Sequence, residues 1–508
     1  MHSYIILNNR RPFTTLLLLV FVAFSGCEKL VDIPPPINTI SDEAAYSTDV
    51  SAAAVLTGIY AIMSKPTTAS IDLSSVVGQW TGLNSIPVLA GLSADELYLS
   101  VVGGFNQRLF FSNSLASSIS DGGKSWNPLY NLVYRCNAAI EGLNASHTLS
   151  ESVKQQLLGE ARFLRAYYYF YLVNLFGPVP LATTTDYEQN SMLSRSAVTD
   201  VYKQMVDDLQ QAQIDLSDQF LNGSVNGPTT ERTRPNKWAA AALLARVYLY
   251  MGDYANAATQ AGLVLDNSTL FELLPVNEVF LKNSREAIWQ LQPTTSFWNT
   301  EEAKLFILSP TAGFNAEMNP YYLNPRLVNT PEAGDARFIP GNWIDTVTIE
   351  GQLYSYAYKY KVNAINMDIT SGTGTQLMTE YLMMMRLSEV YLIRAEARVQ
   401  QGDLSGAIAD LDKVRQRAGL PLIANTDPGI NQSDLLDAIL HERRVELFTE
   451  GGHRWFDLKR TGKVNEVMSV ETPLKGGAWN SRETLYPLTR DELQKAPRLE
   501  QNPGYPEF

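Results

Sequence analysis

The stretch from Glu160 to Phe176 constrains this chain more than any other. Phe163, Leu164, Tyr167, Tyr168, Phe170, Tyr171, Leu172, Leu175 and Phe176 recur at helical spacing but cover more than one face, and Gly177-Pro178 closes the run. Proline two residues past the last hydrophobe cannot continue a helix. A helix apolar on more than one side has to be packed on both. The pattern therefore predicts a central helix with other helices around it, and so a large body. With 508 residues, 45% of them hydrophobic and 18% charged, the chain can bury such a layer. One large domain, or two or three closely packed ones, is expected.

Further helices are predicted around Ser51–Tyr60 and Trp126–Asn137, where apolar residues sit three and four apart. Two later segments share one pattern. In the first, Leu244, Ala245 and Tyr248 precede Gly252-Asp253-Tyr254 and Ala257; in the second, Ala395 precedes Gly402-Asp403-Leu404 and Ala407. Each reads as a helix, a tight Gly-Asp turn and a second helix with a small residue where the two cross. This resembles a tetratricopeptide helix pair, a 34-residue unit. The copies stand 150 residues apart, which predicts a helical scaffold with long insertions, or else two unrelated helical hairpins. From about residue 283 to 380 the helical period fades and prolines, glycines and aromatics accumulate, with Tyr354 to Tyr360 alternating as in a hairpin or edge strand. A loop-rich, partly β insert of that length is more than a connection needs and is usually functional, disorder being the other common explanation.

The chemistry the residues exclude is broad. Forty basic against 53 acidic side chains leave a formal charge of −13, with no wide positive field for nucleic acid. Two cysteines make no disulfide framework, and four histidines in all offer few soft ligands for zinc or iron. His441-Glu442 opens like a zinc-protease helix, but valine stands at 445 where the second histidine belongs. No nucleophile elbow or phosphate-cradling glycine loop is present.

The N-terminus is distinct. Arg10-Arg11 precede a run of nine apolar residues, Leu16 to Phe24, too short to span a bilayer, followed by Ser25-Gly26-Cys27. This junction resembles a bacterial lipoprotein signal, which implies that residues 1–26 are removed and that Cys27 is acylated. Phe24 departs from the aliphatic residue usual there, and a free Cys27 thiol after a simple signal peptide is the alternative. Residues 27–41, with Pro34-Pro35-Pro36, are expected to be an extended tether. The single remaining domain is expected over residues 42–508.

Between Leu440 and Lys463 the chain carries Glu442-Arg443-Arg444-Val445-Glu446-Leu447-Phe448, then Gly451-Gly452-His453-Arg454-Trp455-Phe456-Asp457. With Gly159-Glu160-Ala161-Arg162-Phe163-Leu164-Arg165-Ala166-Tyr167, Met385-Arg386-Leu387-Ser388-Glu389 and Asn502-Pro503-Gly504-Tyr505, it resembles the SusD/RagB family of surface lipoproteins. The match runs along nearly the whole chain after Cys27; a second glycine, Gly451-Gly452, is its one departure. The resemblance implies a mainly α, tetratricopeptide-like (SusD-like) superhelix with a variable loop-rich half. It implies outer-membrane localisation through the lipid anchor at the cell surface, with a SusC-like TonB-dependent transporter as partner. It also implies capture of oligosaccharide or polysaccharide, peptides or glycoproteins being the rival ligand, and no catalysis; a glycoside hydrolase is the more distant alternative. A bare transporter lid, binding no small ligand, is a third possibility. No cofactor is expected, with a calcium ion on loop carboxylates left open.

Within that frame the cluster Glu442, Arg443, Arg444, Glu446, Arg454 and Asp457 reads as a buried ion network fixing the last helices, since a motif common to a family cannot encode its variable ligands. Glycan recognition needs flat aromatic faces beside amides and carboxylates. Candidates are Trp298 with Asn299, Tyr321-Tyr322, Trp343, Trp80, and Phe105 with Asn106, of which at least two should face solvent together. Trp126, Trp238 and Trp455 are assigned to the core.

Overall fold

The computed structural model describes residues 42–64, 85–116, 125–294, 299–316, 319–362 and 378–506. Cys27, Trp80 and Trp298 lie outside these. Nine of the helices among the described residues build the scaffold: α1 (Trp126–Ala145), α2 (Glu151–Phe176), α3 (Val198–Asp215), α4 (Lys237–Met251), α5 (Tyr254–Leu265), α6 (Leu387–Gln400), α7 (Leu404–Arg417), α8 (Gln432–Glu446) and α9 (His453–Arg460). The helix expected at Glu160 is α2, and it starts nine residues earlier, at Glu151. From Phe163 to Phe176 all but Asn174 are buried, because α1 and α3 flank it. Gly177 ends it at φ +74°, a left-handed conformation open to glycine, immediately before Pro178.

Both Gly-Asp turns are as the spacing predicts. Gly252 and Gly402 sit at φ +74° and +82°, while the Asp253 and Asp403 carboxylates accept from the amides of Asn256 and Gly406 and cap α5 and α7. Ala257 and Ala407 are fully buried where the paired helices cross. Separated by 150 residues in sequence, the two pairs are neighbours in space: α5 packs directly on α6, so the helices form one continuous row and the insert is looped out of it. Trp126 and Trp455 are in the core as expected, whereas Trp238 is only half-buried, its indole donating to the Asp218 carbonyl.

Among the described residues, six short strands make three antiparallel two-stranded sheets: β1 (Leu97–Leu99), β2 (Ala287–Leu291), β3 (Tyr321–Leu323), β4 (Ile344–Ile349), β5 (Gln352–Ala357) and β6 (Leu382–Arg386). β2 pairs with β6 and joins the two ends of the insert at the start of α6. β4 and β5 form a hairpin whose two turn residues, Glu350 and Gly351, both have positive φ, the geometry that matches strand twist.

The signature segment closes an ion network that fastens this insert to the scaffold. Arg337 Nη1 lies 2.6 Å from Glu442 and 2.7 Å from Glu446; Arg386 reaches Glu446 at 2.5 Å, Glu450 at 2.6 Å and Glu286 at 3.1 Å; Arg417 pairs with Glu446 and Glu286. Lys359 donates to the Glu446 and Phe448 carbonyls. Farther along, Arg443 and Arg460 hold Asp457 at 2.8 Å each, and Arg454 grips Asp95 through two bonds. Burial alone would raise the Glu446 carboxyl, but three guanidinium groups hold it well below the usual carboxylate range. Asp95, beside Arg454 and Arg444, and Glu389, beside Arg246, are likewise pulled to about 2 against their burial.

Three outcomes follow for stability. Tyr168 is 0% exposed and its hydroxyl has no hydrogen-bond partner among the described residues, so Tyr168→Phe should leave the melting temperature unchanged or higher, while Tyr168→Asp should abolish soluble expression by burying an unpaired charge. Glu446→Gln strips three arginines of a shared carboxylate and should cost about 3–5 kcal/mol in denaturant unfolding; a loss under 1 kcal/mol would contradict the network's role. The depressed carboxyls of Asp95 and Glu389 contribute stability that is whole above their unfolded pKa values near 4 and is lost as pH falls from about 4 towards 2. The unfolding midpoint should drop steeply in that window; Asp95→Asn should flatten the drop.

Candidate functional site

The short strands bring aromatic side chains to one face. β1 and β3 pair with Tyr98 opposite Tyr322, Leu97 opposite Leu323 and Leu99 opposite Tyr321. Because side chains alternate along a strand, the second pair and the third turn inward and are buried, and Tyr98 and Tyr322 turn outward and are half-buried. The β4–β5 hairpin lies against β3 and adds Tyr354. Phe314 completes the group. Ring centroids are 5.8 Å apart for Tyr98–Tyr322, 5.0 Å for Tyr322–Tyr354 and 4.9 Å for Phe314–Tyr354, all edge-to-face, with Phe314–Tyr322 tilted at 5.8 Å. Such contacts hold rings in fixed orientation. Beneath the hairpin, Leu308, Val347 and Tyr356 form a small buried cluster of their own that supports the ledge from inside.

Around the ledge the surface stays apolar, then becomes polar. Tyr98 also meets Phe111 at 5.3 Å, at the end of the short helix that Phe105 begins. Phe105 is 61% exposed, and Val101, Val102 and Leu353 are exposed near the same strands. Arg326, half exposed and paired with Glu471 at 2.9 Å, contributes with that glutamate to the field at Tyr98. Burial first, then neighbouring carboxylates and phenols, raise the pKa values of Tyr98 and Tyr322, so both phenols are neutral donors at physiological pH.

Of the residues singled out in the sequence, Tyr322 lies on this ledge and Phe105 faces solvent at the far end of the adjoining helix. Four others turn inward, which corrects the expectation of a binding role for them. Trp343 is fully buried: its indole donates to the Val276 carbonyl, and Lys359, Arg417 and Arg386 sit 4.8, 4.8 and 5.4 Å from its ring, which makes it part of the ion network. Tyr321 accepts from Gln107 at 2.8 Å inside the core. Asn299 is buried with its carbonyl accepting from the amides of Thr379 and Glu380. Asn106 is also buried. Sequence reasoning passed over Tyr98, whose signal was the Leu-Tyr-Leu alternation of a three-residue strand, and left Phe314 and Tyr354 as insert aromatics without a role.

A row of helices carrying an aromatic ledge built by β1 and the insert together defines the class of scaffold, and comparisons with known proteins give the family. The model described as "SusD family" matches residues 345–505, and the one described as "Starch-binding associating with outer membrane" matches 92–249. The chain belongs to the SusD/RagB family. It is 26% identical to SusD-like protein P2 of Formosa agariphila, over 96% of this chain and 98% of that one. With the starch-binding protein SusD of Bacteroides thetaiotaomicron it shares 23% identity over 72% of this chain and 74% of the other. Its fold is that of a SusD superfamily protein of Parabacteroides distasonis (TM-score 0.72, 22% identity, 92% of this chain and all of that one) and of a laminarin-binding SusD-like protein (TM-score 0.68, 24% identity, 91% and all).

Proposed function

We propose that this chain is a glycan-binding lipoprotein of the outer-membrane surface, which captures oligosaccharide on the ledge of Tyr98, Phe314, Tyr322 and Tyr354 and delivers it to a partner TonB-dependent transporter. The ledge carries this reading: rigidly oriented, half-buried rings present apolar surface to the C–H faces of pyranose rings, and phenol hydroxyls and Arg326 lie within the same patch for the sugar hydroxyls. The names of the relatives point the same way, one being a starch-binding protein and another laminarin-binding. Phe105 and the tryptophans Trp80 and Trp298 remain candidates for extending the platform. An open face of a few rings excludes water poorly, so affinity should be modest. The chain is proposed to bind without turning its ligand over.

Calorimetry of residues 28–508 with soluble starch, laminarin, other α- and β-linked glycans and a peptide pool tests the reading. Saturable binding to one glycan class is expected, weakened roughly tenfold, equivalent to about 1.4 kcal/mol, by Tyr354→Ala or Tyr322→Ala. Heat from peptides alone would transfer the ledge to that ligand, and unchanged affinity in both variants would remove it from the site. Anchoring is tested separately: Cys27→Ala should yield a folded protein released from the outer-membrane fraction, because acylation lies outside the core. Retention of that variant in the membrane would contradict lipid attachment at Cys27.

A further inference from the structure

Away from the ledge, against the outer face of α1, lies a half-open cavity of about 230 Å³. A cavity of about 150 Å³ accepts benzene, so this one holds a six-membered ring with its substituents. Its wall is a stripe of aromatic residues four apart on α1: Tyr130 and Tyr134, with the core residue Trp126, only 3% exposed, packed at its inner end. The Trp126 and Tyr130 rings are tilted at 4.8 Å, with the first locked from behind by Phe176 at 5.1 Å, and Tyr134 stands 53% exposed at the mouth. The rest of the lining is largely apolar, Pro180, Leu193 and Leu499 among it, and carries amides and one carboxylate whose hydrogen bonds show what the cavity lacks. Asn190 Nδ2 is committed to the Thr184 carbonyl at 2.7 Å, which fixes the amide orientation, and its Oδ1 is buried with no partner among the described residues. Asn137 spends its Nδ2 on the carbonyls of Ala182 and Thr184 and its Oδ1 on Arg165. Glu492 accepts from Asn127 at 2.9 Å.

Asn137 is fully engaged and the Tyr130 hydroxyl donates to the Pro180 carbonyl, while the Asn190 acceptor is left over, so an occupant that brings a hydroxyl or N–H donor satisfies it. No cation is among the lining residues and one carboxylate is, which opposes sulfated, phosphorylated or uronic ligands. Aromatic faces beside acceptors, in a space the size of one ring, fit a neutral hydroxylated ring. From this arrangement we infer that the cavity is a second carbohydrate site, taking a single neutral monosaccharide unit with its C–H face on the α1 stripe and a hydroxyl donating to Asn190 Oδ1. The inference stands apart from the ledge: it uses different residues and a different part of the fold.

The test uses the purified full chain in a detergent without a sugar headgroup, with saturation-transfer NMR and equilibrium dialysis of glucose, galactose, mannose, xylose and fucose, and choline as a cationic competitor. At least one sugar should bind in the millimolar range. Asn190→Leu should weaken it at least tenfold, and Tyr134→Ala, at an exposed position, should weaken it with an unchanged melting curve. Tyr354→Ala should leave it untouched, which separates this site from the ledge. Absence of saturable binding by all five sugars, binding that survives both cavity variants, or capture of choline in their place would overturn the inference.

Discussion

The structure depends on a buried cluster of charges gathered around the Glu446 carboxylate. Three guanidinium groups converge on it from different parts of the chain: Arg337 from the insert, Arg386 from the end of β6 and Arg417 from the end of α7. Ions withdrawn from water are costly unless every one is paired, and removing a single partner leaves the rest exposed to that cost. The cluster is therefore a specification more than a source of net stability. Lys359 and Trp343 complete it, the lysine bonding backbone carbonyls after α8 and the indole face receiving three cations. Few alternative placements of the insert satisfy so many charges at once.

That fastening explains how a loop-rich segment can present a defined surface. β5 carries Tyr354 outward and runs on within five residues to Lys359, which is anchored in the cluster; β4 follows directly on Trp343. The hairpin is thus pinned at its base and free at its Glu350-Gly351 turn, with β3 alongside to hold Tyr322 against Tyr354. Strands of three residues have little stability of their own. Here β1 and β3 persist because Leu97, Leu99, Tyr321 and Leu323 are sunk in the main core, which leaves the alternate residues as a ledge.

Much of the scaffold was legible in the sequence because helices announce themselves locally. The all-round apolar run of α2, its Gly177-Pro178 stop and the two Gly-Asp turns each depend on residues within a few positions of one another. The signature cluster was legible as an ion network, though its partners Arg337, Arg386 and Arg417 come from elsewhere in the chain and no spacing rule connects them. Which insert aromatics face solvent was not legible. Trp343 beside Asn342 looks like a sugar platform, but it is buried among three cations, Lys359 from the base of the same hairpin and Arg386 and Arg417 from distant elements. Tyr321 and Tyr322 are adjacent and chemically identical; strand alternation sends one to the core and the other to the surface, and the register that decides comes from pairing with a strand more than two hundred residues away.

The central claim, that glycan lands on the Tyr98–Tyr322–Tyr354 ledge, is tested most directly by hydrogen–deuterium exchange of residues 28–508 with and without saturating soluble starch or laminarin. The account predicts that added protection concentrates in peptides covering residues 97–99, 321–323 and 352–357, which are far apart in sequence and joined only by this fold. Protection confined to the scaffold helices, or no change in those three segments while the glycan is bound, would contradict it.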